Sequence, residues 1–139
     1  MNWFFGVLIR EEDGDHVVSV RDLPEVVTSG GSVSEALELA GDAIEAAVSG
    51  RIEDEMDLPA PTSIEAGERM IALEPALAAK ASVYHLWRKA RVTKTELARR
   101  LARSETEVRR ILDPRHGTKL GQMQAAARAL GARLVGGTA

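Results

Sequence analysis

The polar side chains of one short helix, predicted to begin after Ser104, have the chemistry needed to read the edges of DNA bases. Apolar residues at 108, 111 and 112 recur at helical spacing and predict a buried stripe. A step of about 100° per residue places Thr106 and Arg110 opposite that stripe. Arginine bonds guanine O6 and N7 bidentately in the major groove. We therefore predict base contacts from this face and from the first turn of the helix: Glu105, Thr106, Glu107, Arg109 and Arg110.

Basic and hydroxyl side chains on both sides of this helix are suited to contact phosphate groups. Lys94 and Thr95 begin the preceding helix, where free backbone N–H groups and the helix dipole also favour an anion. Arg115, His116 and Lys119 lie in the loop that follows. Contacts of this kind position a protein on the sugar-phosphate backbone without reading its sequence.

Two capping boxes predict the pair of helices that would position these side chains. Thr93–Glu96 (T-K-T-E) and Ser104–Glu107 (S-E-T-E) both have a hydroxyl residue followed by glutamate three positions later. Leu97, Ala98 and Leu101 predict the inward face of the first helix. Two short helices joined by a tight turn form the helix-turn-helix arrangement. The series resembles the phage-repressor-like group of these domains.

Charge divides the chain into an acidic and a basic part. Residues 1–80 contain 5 Lys/Arg and 17 Asp/Glu, a balance of −12, and residues 81–139 contain 13 and 4, a balance of +9. Together they give the net charge of −3. Since a basic surface attracts polyanions and an acidic one attracts cations, the sequence predicts nucleic acid and a basic protein as partners.

The turn between the two predicted helices has Ala102 and Arg103 where such domains usually have glycine. A left-handed backbone at either residue would cost about 1 kcal/mol or more, because L-residues with a side chain are strained there. The alternative is a helical bundle whose arginines only solvate one face. The charge of the basic part, the two boxes and the inward stripes together favour DNA binding.

The acidic part carries the signals of four strands and one helix. The Asp13-Gly14 turn predicts that the first two strands form a hairpin, because it suits a two-residue connection. The predicted elements in order are strands at 3–9, 16–20 and 26–29, a helix capped by Ser32–Glu35 and ended by Gly50, a loop at 51–63, and a strand at Arg69–Leu73 closed by Pro75. The order is β-β-β-α-β.

The basic part carries helix signals until its last residues. A helix starts near Ala76, the two capped helices follow, and a fourth helix from about Leu120 has Gly131 as its C-terminal cap. Arg133–Val135 is predicted as a short strand whose exposed edge is a candidate dimer contact. The predicted fold class is α+β, with a domain at 1–75 and an all-α domain at 76–139.

The remaining composition argues against metal, cofactor, membrane and catalytic functions. The chain has no cysteine, and His16, His85 and His116 have no other ligand types clustered near them, so no metal or cofactor is predicted. The carboxylates lie in turns, on a solvated helix face and in a loop at 53–57, an arrangement unlike a two-metal nuclease site. No apolar run approaches the roughly 18 residues of a membrane span. A cytoplasmic protein without enzymatic activity is expected.

An ordered series of short motifs runs along nearly the whole chain. It comprises Asp13-Gly14, Ser19–Pro24 (S-V-R-D-L-P), Thr28–Gly30, the helix start Ser34–Leu37, Leu58–Pro61 (L-P-A-P), Lys80 and Ile111–His116 (I-L-D-P-R-H). No single motif is specific, but the series resembles the HicB antitoxin family.

The resemblance implies a partial RNase H-like fold without nuclease activity for the acidic domain. It also implies that this domain binds and blocks a HicA-type toxin, a small basic protein that cleaves messenger RNA. The basic domain would repress the operon of both proteins by binding operator DNA. A palindromic operator implies a homodimer, and a tetramer if the two domains pair through different surfaces. Two alternatives stay open: a stand-alone repressor whose N-terminal half senses a ligand or mediates oligomerisation, and an RNase H-class enzyme.

Overall fold

The computed structural model describes residues 2–132, which form one antiparallel four-stranded sheet and five α-helices. The elements in chain order are β1 (Phe4–Glu12), β2 (Asp15–Val20), β3 (Val27–Gly30), α1 (Val33–Glu53), β4 (Arg69–Ala72), α2 (Pro75–Ala90), α3 (Lys94–Leu101), α4 (Glu105–Leu112) and α5 (Leu120–Ala129). The strand order in the sheet is β3-β2-β1-β4. The predicted α+β class is confirmed, as is the order β-β-β-α-β in the acidic part.

The β1–β2 hairpin turns through Asp13 and Gly14, whose φ angles are 50° and 86°. Glycine adopts positive φ without strain and aspartate tolerates it, so this pair gives a tight turn that matches the twist of the strands. Glu12 and Asp15 pair directly across the turn. The hairpin predicted from the sequence is therefore confirmed.

The helix α1 covers one face of the sheet. Its buried residues recur at every fourth position from Ala36 to Ile52, which keeps one stripe of the helix against the strands. The helix starts very close to β3, because a Cβ added at Gly30 would lie 2.7 Å from the Ala36 nitrogen. Only glycine fits at that position. The buried side chains of the two central strands are Phe5, Val7, Val18 and Val20.

The helix α1 continues through Gly50 to Glu53, so the prediction that Gly50 ends it is wrong. The buried stripe extends to Ile52, and the burial of that side chain offsets the weak helix propensity of glycine. The helix ends where the Asp54 N–H bonds the Gly50 carbonyl and Glu55 takes a positive φ of 53°.

The residues after β4 start the next helix. The strand ends at Ala72, and Pro75 is the first residue of α2 rather than the end of the strand. Proline suits this position because the N–H group of a first helical residue has no partner inside the helix. The Glu74 carboxylate caps the same end by accepting from the N–H groups of Ala76 and Leu77 at 3.1 and 3.2 Å.

The helix α2 is buried on two sides and packs against both parts of the chain. Trp3 Nε1 donates to Ser82 Oγ at 2.8 Å, and the Tyr84 hydroxyl donates to the Met56 carbonyl at 2.5 Å. Trp3 and Trp87 are 3% and 8% exposed and belong to the core. One continuous hydrophobic core runs from the strands through α2 to α5.

The helix α5 ends in a hydrogen-bonded cap. Gly131 has a φ of 84°, its N–H bonds the Arg128 carbonyl at 3.0 Å, and the Ala132 N–H bonds the Ala127 carbonyl at 2.9 Å. This pattern of two bonds around a left-handed glycine confirms Gly131 as the C-terminal cap. The predicted strand Arg133–Val135 lies outside the described residues.

Candidate nucleic-acid interface

The helices α3 and α4 are both capped by the hydroxyl residues predicted from the sequence. Thr93 Oγ1 accepts from the Glu96 N–H at 3.0 Å, and Ser104 Oγ accepts from the Glu107 N–H at 3.2 Å. The two helices pack against each other. Five of the residues predicted to face inward are buried: Leu97, Ala98, Val108, Ile111 and Leu112. The sixth, Leu101, is partly buried against the same core. Local sequence signals therefore determine both helix starts and both packing faces.

The turn between α3 and α4 contains a left-handed alanine. Ala102 has φ 53° and ψ 44°. Its N–H bonds the Arg99 carbonyl at 3.1 Å, and the Arg103 N–H bonds the Ala98 carbonyl at 3.0 Å. These bonds satisfy carbonyl groups that a helix end leaves unpaired. Of the two residues where strain was expected, Ala102 bears it, at a cost of about 1 kcal/mol.

The face of α4 opposite its buried stripe is open. Thr106, Arg109 and Arg110 are exposed. Within residues 2–132, their side chains make no hydrogen bond or ion pair with other side chains or with the backbone. Two guanidinium groups and a hydroxyl therefore retain their full hydrogen-bonding capacity for a ligand.

The two glutamates of α4 predicted to contact DNA both have partners in the chain. Glu105 accepts a hydrogen bond from the Thr95 hydroxyl on α3, so two predicted DNA residues are joined to each other. Glu107 is half-buried, and its carboxylate lies 3.2 Å from Arg103. Both glutamates thereby help to hold α4 against α3 and the turn.

The cations predicted to contact phosphates at the two edges of this surface are paired with carboxylates of the acidic part. Lys94 Nζ lies 2.6 Å from a Glu55 oxygen and 5.8 Å from the centre of the Trp87 ring. Arg115 Nε donates to Glu53 at 2.8 Å. Both pairs are partly exposed to solvent.

The other two predicted phosphate contacts lie in the loop between α4 and α5. His116 is exposed, and its Nδ1 lies 3.2 Å from Thr118 Oγ1. Lys119 is exposed and directly precedes the first residue of α5. The five predicted phosphate contacts thus lie on the first residues of α3 and on the loop after α4.

Residues 53–57 form a segment, here called the acidic segment, whose alternate carboxylates pair with three cations of the basic part. Besides the Glu53 and Glu55 pairs, the Asp57 carboxylate lies 2.8 Å from Arg88. The hydrogen bond from Arg88 lowers the pKa of Asp57. Sequence patterns placed all three acids in a loop, but Glu53 is the last residue of α1. Their partners, which lie 31 to 62 residues away, were not predicted.

Lys80 on α2 is a buried lysine that sequence patterns did not assign to the site. It is 5% exposed, and its Nζ donates to the carbonyls of Arg110 and Ile111 at 2.8 and 2.9 Å and to Thr118 Oγ1 at 2.6 Å. Burial lowers the pKa of Lys80 to about 8, and the negative charge of Asp113 opposes that shift. In the sequence it stands out as a single cation in the run A-L-A-A-K-A-S-V at 76–83 and as a member of the motif series, but neither signal gives its partners.

The acidic part presents exposed carboxylates. Within residues 2–132, no group of three or more His, Asp or Glu residues is arranged to hold a metal ion. None of the helices in this range combines the length and apolar character needed to cross a membrane.

Two sets of exposed carboxylates lie on the acidic part. The carboxylates at the tip of the hairpin are Glu11, Glu12, Asp13 and Asp15. A second set lines a cleft between α1, the start of α2 and Arg115: Asp42, Glu45, Glu53, Asp54 and Glu74.

Known proteins similar to this chain are antitoxins. Residues 5–82 match the family model described as the HicB-like antitoxin of bacterial toxin-antitoxin systems. Antitoxin HicB of Escherichia coli (strain K12) is 34% identical over 122 residues, which cover 88% of this chain and 88% of the relative. Antitoxin HicB 1 of Photorhabdus laumondii is 34% identical over 123 residues, covering 88% and 78%. Antitoxin HicB of Pseudomonas fluorescens is 32% identical over 132 residues, covering 94% and 90%.

A solved structure is also similar to part of the chain. The crystal structure of the N-terminal domain of Burkholderia pseudomallei antitoxin HicB matches 51% of this chain and 95% of its own, with 22% sequence identity and a TM-score of 0.41. The family model covers more than half of this chain, and sequence identity with the Escherichia coli antitoxin extends over most of it. The resemblance read from the sequence is therefore confirmed, and the chain belongs to the HicB antitoxin family of bacterial toxin-antitoxin systems.

Proposed function

We propose that this protein represses its own operon by binding operator DNA through α4 and neutralises a basic HicA-type ribonuclease toxin through its acidic part. The observation that carries the DNA-binding role is the open face of α4, where Thr106, Arg109 and Arg110 have no partner within the described chain. In helix-turn-helix proteins the second helix lies in the major groove and the first crosses the backbone. Here α4 and α3 take these two roles.

The phosphate contacts are proposed at the edges of α4, where DNA would replace existing partners. Lys94 and Arg115 exchange the carboxylates of Glu55 and Glu53 for phosphates, with little loss because exposed ion pairs contribute about 0–1 kcal/mol. Each such contact releases counterions from DNA, so binding weakens as salt rises. The remaining proposed phosphate contacts are Thr95, His116 and Lys119.

The toxin-binding role rests on membership of the antitoxin family and on the charge of the acidic part. The hairpin tip and the α1 cleft both present clusters of carboxylates to solvent. Such surfaces steer a small basic protein into contact and compete with RNA for its cationic site. We further propose that the chain has no enzymatic activity of its own and acts in the cytoplasm.

The proposed organisation has a toxin-binding domain at 1–75 and a DNA-binding domain at 76–139. The first domain is proposed to have a partial RNase H-like fold. Because a palindromic operator presents two equivalent half-sites, the DNA-binding form is proposed to be a homodimer, or a tetramer if both domains pair.

The DNA-binding role is tested by a gel shift on the promoter of the chain's own operon. Thr106→Ala with Arg110→Ala should weaken specific binding by about 1–3 kcal/mol, because base contacts are lost. Arg10→Ala with Ser19→Ala is the matched control, since it removes the same charge and hydroxyl from exposed positions of β1 and β2. Undiminished specific binding by the α4 variant would refute the assignment of α4 as the base-reading helix.

The toxin-binding role is tested with the product of the neighbouring gene. The full-length protein is immobilised, and retention of a basic HicA-type protein is measured at low and high salt. Retention that weakens as salt rises is expected for a complex steered by charge. Passage of the toxin without retention at low salt would contradict the proposal.

A further inference from the structure

We propose that Lys80 is a positioning residue of the DNA-binding surface, whose buried ammonium group fixes the last turn of α4 and the 113–119 loop for contact with DNA. The inference rests on the proposed DNA-binding function. It gives a role to a residue that lies behind the surface and does not touch the ligand.

The ammonium group of Lys80 has as many acceptors as it has N–H donors. The carbonyls of Arg110 and Ile111 and the Thr118 hydroxyl all lie within 2.9 Å of Nζ. The two carbonyls belong to the end of α4, where backbone oxygens have no helical partner and carry the negative end of the helix dipole. A buried cation is therefore well matched to this site in both charge and geometry.

The three acceptors belong to α4 and to the loop after it, two of the three segments that carry the proposed DNA contacts. Arg110 accepts through its carbonyl, and its side chain is a proposed base contact. Thr118 lies between the proposed phosphate contacts His116 and Lys119. One side chain from α2 thus sets the position of α4 relative to the loop that follows it.

Stability alone does not explain a lysine at this position. Burial of the ammonium group is unfavourable, as the lowered pKa of about 8 indicates. Replacing a whole buried ion pair by apolar residues of similar volume is often neutral or stabilising, whereas removing one partner alone leaves the other uncompensated. Methionine would fill the same space, but it would leave the Ile111 carbonyl without its donor. The Arg110 carbonyl would keep the Asp113 N–H at 3.2 Å and the Thr118 hydroxyl at 3.4 Å, and the link from α2 to the end of α4 would be lost.

The charged groups around the amine set the expected pH dependence. Asp113 favours the protonated form, and His116 faces the site through Thr118. The buried residues of α5, which also packs against α2, are uncharged: Met123, Ala126 and Ala127. A bound polyanion favours the ammonium form, so DNA affinity should fall as the pH rises through about 8.

The test measures operator affinity and thermal stability of the full-length protein between pH 7 and 9.5 (roughly the range over which a lysine of lowered pKa titrates). Lys80→Met should bind DNA about tenfold more weakly at pH 7, the usual effect of losing hydrogen bonds to a charged group. It should remain folded at the assay temperature, which thermal melting checks, and its DNA affinity should fall much less above pH 8 than that of the wild type. Lys89→Met, on an exposed residue of the same helix, is the control for net charge.

A second variant keeps the inference testable if Lys80→Met does not fold. Thr118→Val removes one neutral acceptor of the ammonium group, which should lower the pKa of Lys80 further. The fall in DNA affinity should therefore begin at a lower pH than in the wild type. Unchanged affinity and pH profile in either variant, or equal losses in Lys80→Met and Lys89→Met, would overturn the inference. A wild-type protein that does not bind its promoter would instead refute the proposed function.

Discussion

Neutralising two carboxylates of the acidic segment should strengthen DNA binding, because they hold the cations that we propose to contact phosphates. Glu55 lies 2.6 Å from Lys94, and Glu53 lies 2.8 Å from Arg115. Glu53→Gln with Glu55→Gln removes both negative charges and keeps side chains of the same size. Lys94 and Arg115 then no longer have to exchange a carboxylate for a phosphate.

The expected gain follows from the exposure of the two pairs. The side chains of Glu53 and Glu55 are 36% and 48% exposed, so water and salt screen both interactions. Each exposed pair contributes about 0.5 kcal/mol. Removing both should lower the Kd for operator DNA about fivefold, the equivalent of about 1 kcal/mol. The gain should shrink as salt rises, because screening weakens the competition.

The assay is a fluorescence-anisotropy titration of operator DNA at low and moderate salt. Asp57→Asn is the matched control, because it removes a charge from the same segment while its partner, Arg88, is not a proposed DNA contact. It should change the Kd by less than about twofold. In a double-mutant cycle, the gain from Glu55→Gln should largely disappear in a Lys94→Gln background.

Two outcomes would refute this reasoning. Unchanged or weaker binding by the double glutamine variant would show that the pairs do not compete with DNA. An equal gain from Asp57→Asn would show that net charge, rather than the release of Lys94 and Arg115, governs affinity.

Two further predictions concern stability. Ala102→Gly should raise the free energy of unfolding in urea by about 0.5–1 kcal/mol, because glycine relieves the left-handed strain. The control is Ala98→Gly inside α3, which should lower the free energy of unfolding by about 1 kcal/mol because glycine weakens a helix. A loss of stability in Ala102→Gly would contradict the strain argument. Hydrogen bonds from Arg51 lower the pKa of Glu25, so this pair stabilises the fold above the ordinary value of 4.5 and loses that contribution as pH falls below it. Unfolding of Glu25→Gln should therefore depend less on pH below about 4.5 than wild-type unfolding, and an identical pH dependence would contradict the role of the pair.

Much of the fold could be predicted because its signals act between close neighbours in the chain. The Asp13-Gly14 turn determines the hairpin through the backbone of two residues. Thr93 and Ser104 cap their helices by accepting from N–H groups three positions later. The spacing of Val108 and Ile111 then determines which face of α4 is left open, and this is why its exposed arginines were located from the sequence.

The features that could not be predicted depend on contacts between distant residues. Gly50 is a typical residue for a helix end, and only the burial of Ile52 in the core shows that α1 continues past it. The acceptors of Lys80 lie 30 to 38 residues further along the chain, and the Glu53 partner Arg115 lies 62 residues away. Pairing of this kind arises when the helices pack, and no short spacing in one sequence encodes it.

In the DNA-binding function that we propose, the burial of α2 on two sides determines how the acidic segment would compete with DNA. Ser82 bonds Trp3 on the sheet side, and Lys80 bonds the end of α4 on the other. A close-packed helix of this kind cannot shift without breaking contacts on both sides. The acidic segment therefore stays within reach of Lys94 and Arg115, since both parts of the chain are held by the same helix. The proposed competition with DNA is intramolecular, so the gain in DNA affinity from neutralising the acidic segment should not depend on protein concentration.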